Sequence, residues 1–271
     1  MRGRVLVIAG SDSGGGAGIQ ADIKAITALE GFAATALTAL TAQNTKGVFG
    51  VHPVPPAFIR QQIAVVMEDI GADVIKTGML GDVATIEAVC AALADYAPGV
   101  PLVLDPVMVA KGGHALLADD AVGVMRRRLL PLATVITPNL PEAEALSGMT
   151  IATVADMRVA ASVLLALGVP AVLLKGGHLA GDELVDLLAT PAGIEAFHSR
   201  RIDTMHTHGT GCTTASAVAA GLAQGMSLRD AVVRARAYVR AAIASAPGYG
   251  SGHGPLDHAV TFDPSRLTLE G

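Results

Sequence analysis

Short runs rich in Val, Leu and Ile recur along the chain at "RVLVIAG", "ADVIKTGM", "PLVLDPVM", "TVITPN" and "AVLLKGG". Each is followed by loop residues and then by a helical pattern such as "IQADIKAITALE" or "VATIEAVCAALADY". Unbroken apolar runs alternating with helices predict parallel strands buried on both faces and joined by right-handed crossovers. The expected class is α/β, a mostly parallel sheet between helix layers. Two stretches differ in texture. In "AATALTALTAQNTKGVFGVHPV" threonine and small residues alternate through two predicted strands, and in "DELVDLLATPAGIEAFHSRRI" a central turn predicts a hairpin.

Composition narrows this picture. Hydrophobic residues make up 51% of 271 positions and aromatics 3%, with no tryptophan, so Ala, Val, Leu and Ile must build the core. Without a low-complexity linker or internal repeat, residues 1–271 are expected to form a single domain. The net charge of −5 argues against a nucleic-acid partner, which calls for a clustered basic face. The one basic run, Arg126 to Arg128 in "AVGVMRRRLLP", fits the negative end of a helix dipole. Cys90 and Cys212 are far apart and give neither a disulfide framework nor metal-ligand spacing, which points to a reducing, cytoplasmic setting. Cys90, inside a helical pattern, is expected in the core. No apolar stretch is long enough to span a bilayer, and "MRGRVLVIAG" is expected to be a first strand rather than an export signal, so no membrane partner is expected.

The predicted strands end in "AGSDSGGGAG", "KTGML", "LDPVMVAKGG", "ITPNLPEAE" and "LLKGGH". In an open parallel sheet the carboxyl ends of the strands form the ligand crevice, so these five loops are expected to converge there. The first loop is neither a dinucleotide fingerprint, because Gly14 and Gly16 lead to Ile19, nor a P-loop, because Lys24 lies well inside the helix. Missing side chains there would let a small ligand approach the backbone, with Asp22 reaching inward from the first helical turn.

The segment "HTHGTGCTTASAVAAG", His206 to Gly221, sets a glycine-framed loop against an alanine-rich helix. Gly209 and Gly211 permit positive φ, so the N–H groups of Thr210, Gly211 and Cys212 are expected to point at one spot. Such a helix start attracts phosphate oxygens and would stabilise charge during phosphoryl transfer.

Taken in order, "IAGSDSGGGAGIQAD", "TALTAQNTKGV", "KTGML", "LDPVMVAKGG", "ITPNLPEAE", "LLKGGH" and "HTHGTGCTTASA" resemble the hydroxymethylpyrimidine and phosphomethylpyrimidine kinases of thiamine biosynthesis, in the ribokinase-like superfamily. The resemblance runs from about Arg4 to His258. It implies a three-layer αβα sandwich without a separate lid domain. It also implies an ATP- and magnesium-dependent kinase acting on 4-amino-5-hydroxymethyl-2-methylpyrimidine and then on its monophosphate, and a homodimer.

By the same resemblance, Gln43 binds the pyrimidine, and its amide suits an amino group beside a ring nitrogen. Gly10, Asp22, Met79 and Val107 form the rest of that pocket. Asp105 and Glu142 serve magnesium, while Asn139, Lys175, Thr210 and Gly211 face the nucleotide. The catalytic set is Gly209, Thr210, Gly211, Cys212 and Lys175. Cys212 stands where the wider superfamily commonly has an aspartate base, and the helix terminus is expected to favour its thiolate. Lys76 and Lys111 rank lower and are expected to be solvated, and the tail "GYGSGHGPLDH" is expected near the nucleotide. Three rivals remain: a pyridoxine or pyridoxal kinase of the same superfamily, a cysteine-dependent hydrolase or transferase using Cys212 with His206 or His208 as base, and a non-catalytic pyrimidine-binding regulator.

Overall fold

The computed structural model describes residues 3–109, 113 and 116–263. Lys111 lies outside the described residues. The first apolar run is β1 (Arg4–Ala9), leading through the glycine loop to α1 (Gly18–Ala28) and β2 (Phe32–Leu37). The threonine-rich stretch makes the pair β3 (Ala39–Asn44) and β4 (Gly47–Pro53), followed by α2 (Pro56–Asp69), β5 (Val74–Thr77), α3 (Val83–Tyr96) and β6 (Leu102–Leu104). Next come α4 (Asp119–Val124), β7 (Val135–Ile136), α5 (Leu140–Ser147), α6 (Val154–Ala166) and β8 (Val172–Leu174). The chain closes with the hairpin β9 (Glu183–Thr190) and β10 (Gly193–Arg200), then α7 (Thr210–Ala223) and α8 (Leu228–Ala244). Arg126 to Arg128 occupy a π-helical turn, Met125–Leu129, that continues α4.

Eight strands form the main sheet in the order β10-β9-β8-β7-β6-β5-β1-β2. The six strands from β8 to β2 are mutually parallel, and β9 and β10 run antiparallel at one edge. Side-chain alternation divides the core between the two faces. Leu6, Ile8, Ile75, Leu102, Leu104, Val172 and Leu174 pack on the face covered by α2, α3, α5 and α6. Val5, Val7, Val74, Val103 and Leu173 pack on the face covered by α1, α7 and α8. Cys90 is buried in the first of these clusters. This is the expected three-layer αβα arrangement. No helix among the described residues is long and apolar enough to cross a membrane.

The parallel strands deliver Gly10, Gly78, Asp105, Thr137 and Lys175 to one edge, each the first residue past its strand. The pair β3–β4 stands outside the main sheet as its own two-stranded sheet beside that edge.

Candidate active site

Asp105 and Lys175 meet at this edge. Lys175 Nζ donates to Asp105 Oδ1 at 3.2 Å, and Thr137 Oγ1 donates to the same oxygen at 2.9 Å. Asp105 Oδ2 has no hydrogen-bond partner among the described residues and faces Gly211, where an added Cβ would stand 3.9 Å from Oδ2 and 3.2 Å from Lys175 Nζ. Burial pulls the Lys175 ammonium down, but Asp105 and Glu142 outweigh it and hold it above its ordinary value. Asn139 and Glu142 form a reciprocal capping box at the start of α5, at 2.8 and 2.9 Å, and Asn139 pairs in parallel register with Lys175. Burial, with Asp105 adding to it and Lys175 opposing, pushes the Glu142 carboxyl up to about 7. No group of three or more His, Cys, Asp or Glu side chains among the described residues could hold a metal by itself.

The start of α7 faces this cluster. Gly209 is its N-cap with φ of 82°, and an added Cβ would overlap the Gly16 carbonyl. This position requires glycine for both reasons. Gly211 does not adopt positive φ; it is helical, and its missing side chain leaves room for Lys175 Nζ, which a Cβ would crowd. The expected trio of amides reduces to a pair. Thr210 N–H is turned to Thr207 O at 3.4 Å, whereas the Gly211 and Cys212 N–H groups have no acceptor among the described residues.

Cys212 corrects an expectation. The residue is half-buried, but its thiol lies among Lys76, Asp22 and Asp105, and burial pushes it up to about 12 against the pull of Lys76 and of the Gly18 amide. Desolvation outweighs the helix terminus, so the thiol is protonated at neutral pH. His208 Nε2 is taken up by Asp12 and Gln43 and His206 Nδ1 has no hydrogen-bond partner among the described residues, so neither is seen paired with the sulfur as the cysteine-nucleophile rival requires.

Two further expectations change beneath Cys212. Lys76 is not solvated: it and Asp22 are fully buried, with Lys76 Nζ 2.9 Å from both Asp22 oxygens. Ser216 Oγ donates to Asp22 Oδ1 at 2.7 Å. The carboxylate of Asp22 is therefore spent inside the protein, behind the crevice wall, rather than aimed at a ligand. Burial would lower the Lys76 ammonium, but Asp22, Cys212 and Asp105 hold it above its ordinary value.

On the other side of the α7 start lies Gln43, half-buried on β3. The β3–β4 register shifts between Ala42 and Gln43, a bulge that re-aims the side chain. Its amide lies 3.2 Å from His208 Nε2, and His208 Nε2 lies 2.8 Å from Asp12 Oδ2. Asp12 also accepts the Gly14, Gly16 and Ala17 amides at 2.8, 3.0 and 2.8 Å. Burial pushes the Asp12 carboxyl up, but the His208 hydrogen bond and the amides outweigh it and hold it below its ordinary value. Gly10 and Met79 are neighbours, since a Cβ on Gly10 would stand 3.0 Å from Met79 Sδ. Val107 is half-buried, and its N–H donates to Asp105 O at 2.9 Å. The tail packs on the β3–β4 turn, with His253 N–H donating to Thr45 O at 2.8 Å, and against the His208 backbone through Pro255.

The model of the family described as phosphomethylpyrimidine kinase matches residues 12–257. The chain belongs to that family. It is 53% identical over 98% of its length to the thiamine biosynthesis bifunctional protein ThiED of Geobacter sulfurreducens, of which it spans 54%. It is 50% identical to the hydroxymethylpyrimidine/phosphomethylpyrimidine kinase of Streptomyces coelicolor, covering 94% of this chain and 93% of that one. Among solved structures, an ADP complex of Bacillus subtilis pyridoxal kinase superposes with a TM-score of 0.89 at 40% identity, covering 99% and 100% of the two chains. The fold is thus the ribokinase-like α/β fold of these phosphomethylpyrimidine and pyridoxal kinases.

For this family member, sequence reasoning missed Asp12, Thr137 and Ser216 and took His208 only as a possible base. A signal existed for Asp12: a lone carboxylate followed by glycines and alanine, "DSGGGA", is suited to accept its own loop's amides. Nothing local signalled Ser216 or Thr137, whose partners come from distant strands and helices.

Proposed function

We propose that the chain transfers the γ-phosphoryl group of ATP to the hydroxymethyl group of 4-amino-5-hydroxymethyl-2-methylpyrimidine, and then phosphorylates the monophosphate to the diphosphate. The observation that carries this reading is the start of α7. Two unpartnered amides, Gly211 and Cys212, lie at the start of a helix that faces a lysine–aspartate pair, and His208, just before that helix, meets the Gln43 amide. Phosphoryl transfer depends mainly on positioning and on charge placed where it develops. Lys175 supplies a point cation for the phosphate chain. The amides of Gly211 and Cys212 take the transferring group, with Gly209 setting their direction and Thr210 completing the turn. Asn139 orders the α5 start beside the nucleotide.

Gln43 binds the amino group and ring nitrogen of the pyrimidine, with Gly10, Met79 and Val107 forming the walls. Asp22 acts from behind, fixing Lys76. Cys212 stands at the reacting hydroxyl as a neutral thiol, so it orients the hydroxyl rather than removing its proton in advance. Asp105 and Glu142 fit magnesium: Asp105 Oδ2 is unpartnered beside Lys175 and Gly211, and carboxylates with water suit a cation shared with phosphates. When bound, magnesium offsets phosphate charge.

A second reading, phosphorylation of pyridoxal, is supported by the likeness to the Bacillus subtilis pyridoxal kinase. The higher identity to hydroxymethylpyrimidine kinases favours the first. Mass spectrometry of the products from ATP, magnesium and each alcohol tests both. Diphosphate from hydroxymethylpyrimidine is expected, and a marked preference for pyridoxal overturns the order.

The same reading takes residues 1–271 as one kinase domain in the cytoplasm, which suits two free thiols. It also takes the protein as a homodimer. Exposed Leu40, Phe49 and Val51 on β3–β4, with Phe58 and Val65 on α2, support that assembly. Sedimentation equilibrium is expected to return twice the chain mass.

A further inference from the structure

The hydrogens between Asp12, His208 and Gln43 can be assigned from geometry. Asp12 accepts three backbone amides, so its carboxylate is a pure acceptor and the 2.8 Å contact requires a hydrogen on His208 Nε2. With its nitrogen at the end that lies 3.2 Å from Nε2, the Gln43 amide would set one N–H group against another. Its oxygen would then lie at the opposite end, 3.4 Å from Thr41 Oγ1, whose single hydrogen already goes to Ser11 O at 2.9 Å. Both contacts are mismatched in that orientation. Turning the amide by half a revolution corrects both at once: the carbonyl takes the longer arm of a three-centre bond from His208 Nε2–H, whose shorter arm goes to Asp12 Oδ2, and the nitrogen donates to Thr41 Oγ1. One oxygen lone pair and one N–H are left over.

We propose that Asp12 and His208 are positioning residues that fix which end of the Gln43 amide lies nearest α7, and so which way round an aminopyrimidine ring sits. This rests on the reading that Gln43 binds the ring. With the carbonyl on the His208 side, the ring's amino group donates there and the adjacent ring nitrogen accepts from the Gln43 N–H. A hydroxymethyl group on the carbon next to the amine then projects beyond it, on the side of His208. The residues that follow His208 in the chain are Gly209 to Cys212, so this orientation brings the alcohol to the unpartnered amides. The reversed amide would turn the ring over and send the alcohol away. Asp12 does this by holding the tautomer of His208, and the Gly14, Gly16 and Ala17 amides hold Asp12.

Two measurements on the full chain test this. Long-range proton–nitrogen NMR of nitrogen-15-labelled protein, with the His208 signal assigned by its loss in His208→Gln, is expected to show the hydrogen on Nε2. Finding it only on Nδ1 overturns the proposal, whatever the variants do. In steady-state kinetics His208→Leu, which removes the donor, is expected to raise KM for hydroxymethylpyrimidine about tenfold while KM for ATP stays within about twofold. His208→Gln, which returns an N–H donor near the position of Nε2, is expected to recover most of that loss. A rise in both KM values together, or no rise in either, leaves His208 a structural residue and overturns the proposal. Gln43→Ala separates the two levels. If it leaves KM for the pyrimidine unchanged, the reading of Gln43 fails and the proposal with it. If it raises KM and His208→Leu does not, only the orientation proposal falls.

Discussion

Two lysines leave the carboxyl ends of parallel strands in the same sheet, each facing an aspartate, and their surroundings give them opposite roles. Lys76 on β5 is fully buried, meets both oxygens of Asp22 at 2.9 Å, and has Ser216 completing the carboxylate's shell. Lys175 after β8 keeps 14% of its side chain exposed, meets one oxygen of Asp105 at 3.2 Å, and leaves the other oxygen open toward Gly211. A saturated pair has nothing left to offer a ligand, whereas a loose one with open valences does. The first pair belongs to the wall beneath Cys212, and the second is the one proposed to meet the phosphates.

The largest effect that would separate them is on folding. Lys76→Met strands a buried carboxylate and is expected to cost about 3–5 kcal/mol of unfolding free energy in urea, most of it returned by adding Asp22→Leu. A loss under about 1 kcal/mol would show that the pair is not sealed. Lys175→Met is expected to do the reverse, lowering kcat/KM by about 10²–10³ while costing clearly less stability than Lys76→Met, because charge stabilisation in the transition state is what it supplies. Equal losses of stability in the two variants would break the comparison.

His258 extends the sealed class and gives a pH signature. Its Nε2 lies 2.9 Å from Thr213 Oγ1, and burial, aided by Lys24, lowers it to about 4. The folded chain binds this proton less readily than the unfolded chain, so the contribution is whole above about 6.5 and is lost as pH falls toward 4. It amounts to at most about 3 kcal/mol. Calorimetry between those limits is expected to show a shallower decline in His258→Gln than in the parent, and identical slopes would remove His258 from the class.

The difference between these regions also explains what was legible in the sequence. Strand-end motifs such as "LDPV", "TPNLPE" and "LLKGGH" are local, and a parallel sheet brings their first polar residues to one edge by topology alone. The convergence of the loops that carry Asp105, Asn139, Glu142 and Lys175 was therefore legible before the fold was known, while the roles of these residues came from the family resemblance. The α/β class followed from the same runs of Val, Leu and Ile. By contrast, the state of Lys76, Asp22 and Cys212 depends on Ser216, 194 positions from Asp22, and on desolvation that no local pattern encodes. Asp12 and His208, 196 positions apart, meet only because the Gly16 and Gly209 backbones press together. Propensity could place a helix dipole beside Cys212 but not weigh it against burial, and at this thiol burial prevails.

The central claim is that the α7 backbone and Lys175, rather than a thiolate, stabilise the transferring phosphoryl group. Single-turnover transfer from ATP to hydroxymethylpyrimidine, measured for Cys212→Ser and Gly211→Ala, tests it most directly. Cys212→Ser is expected to stay within about tenfold of the parent, and the parent rate is expected not to rise through a thiol ionisation between about pH 6 and 9. Gly211→Ala, whose methyl group would press on Lys175 Nζ, is expected to lose about ten- to a hundredfold. A loss of a thousandfold or more in Cys212→Ser, with Gly211→Ala near the parent rate, would contradict the account.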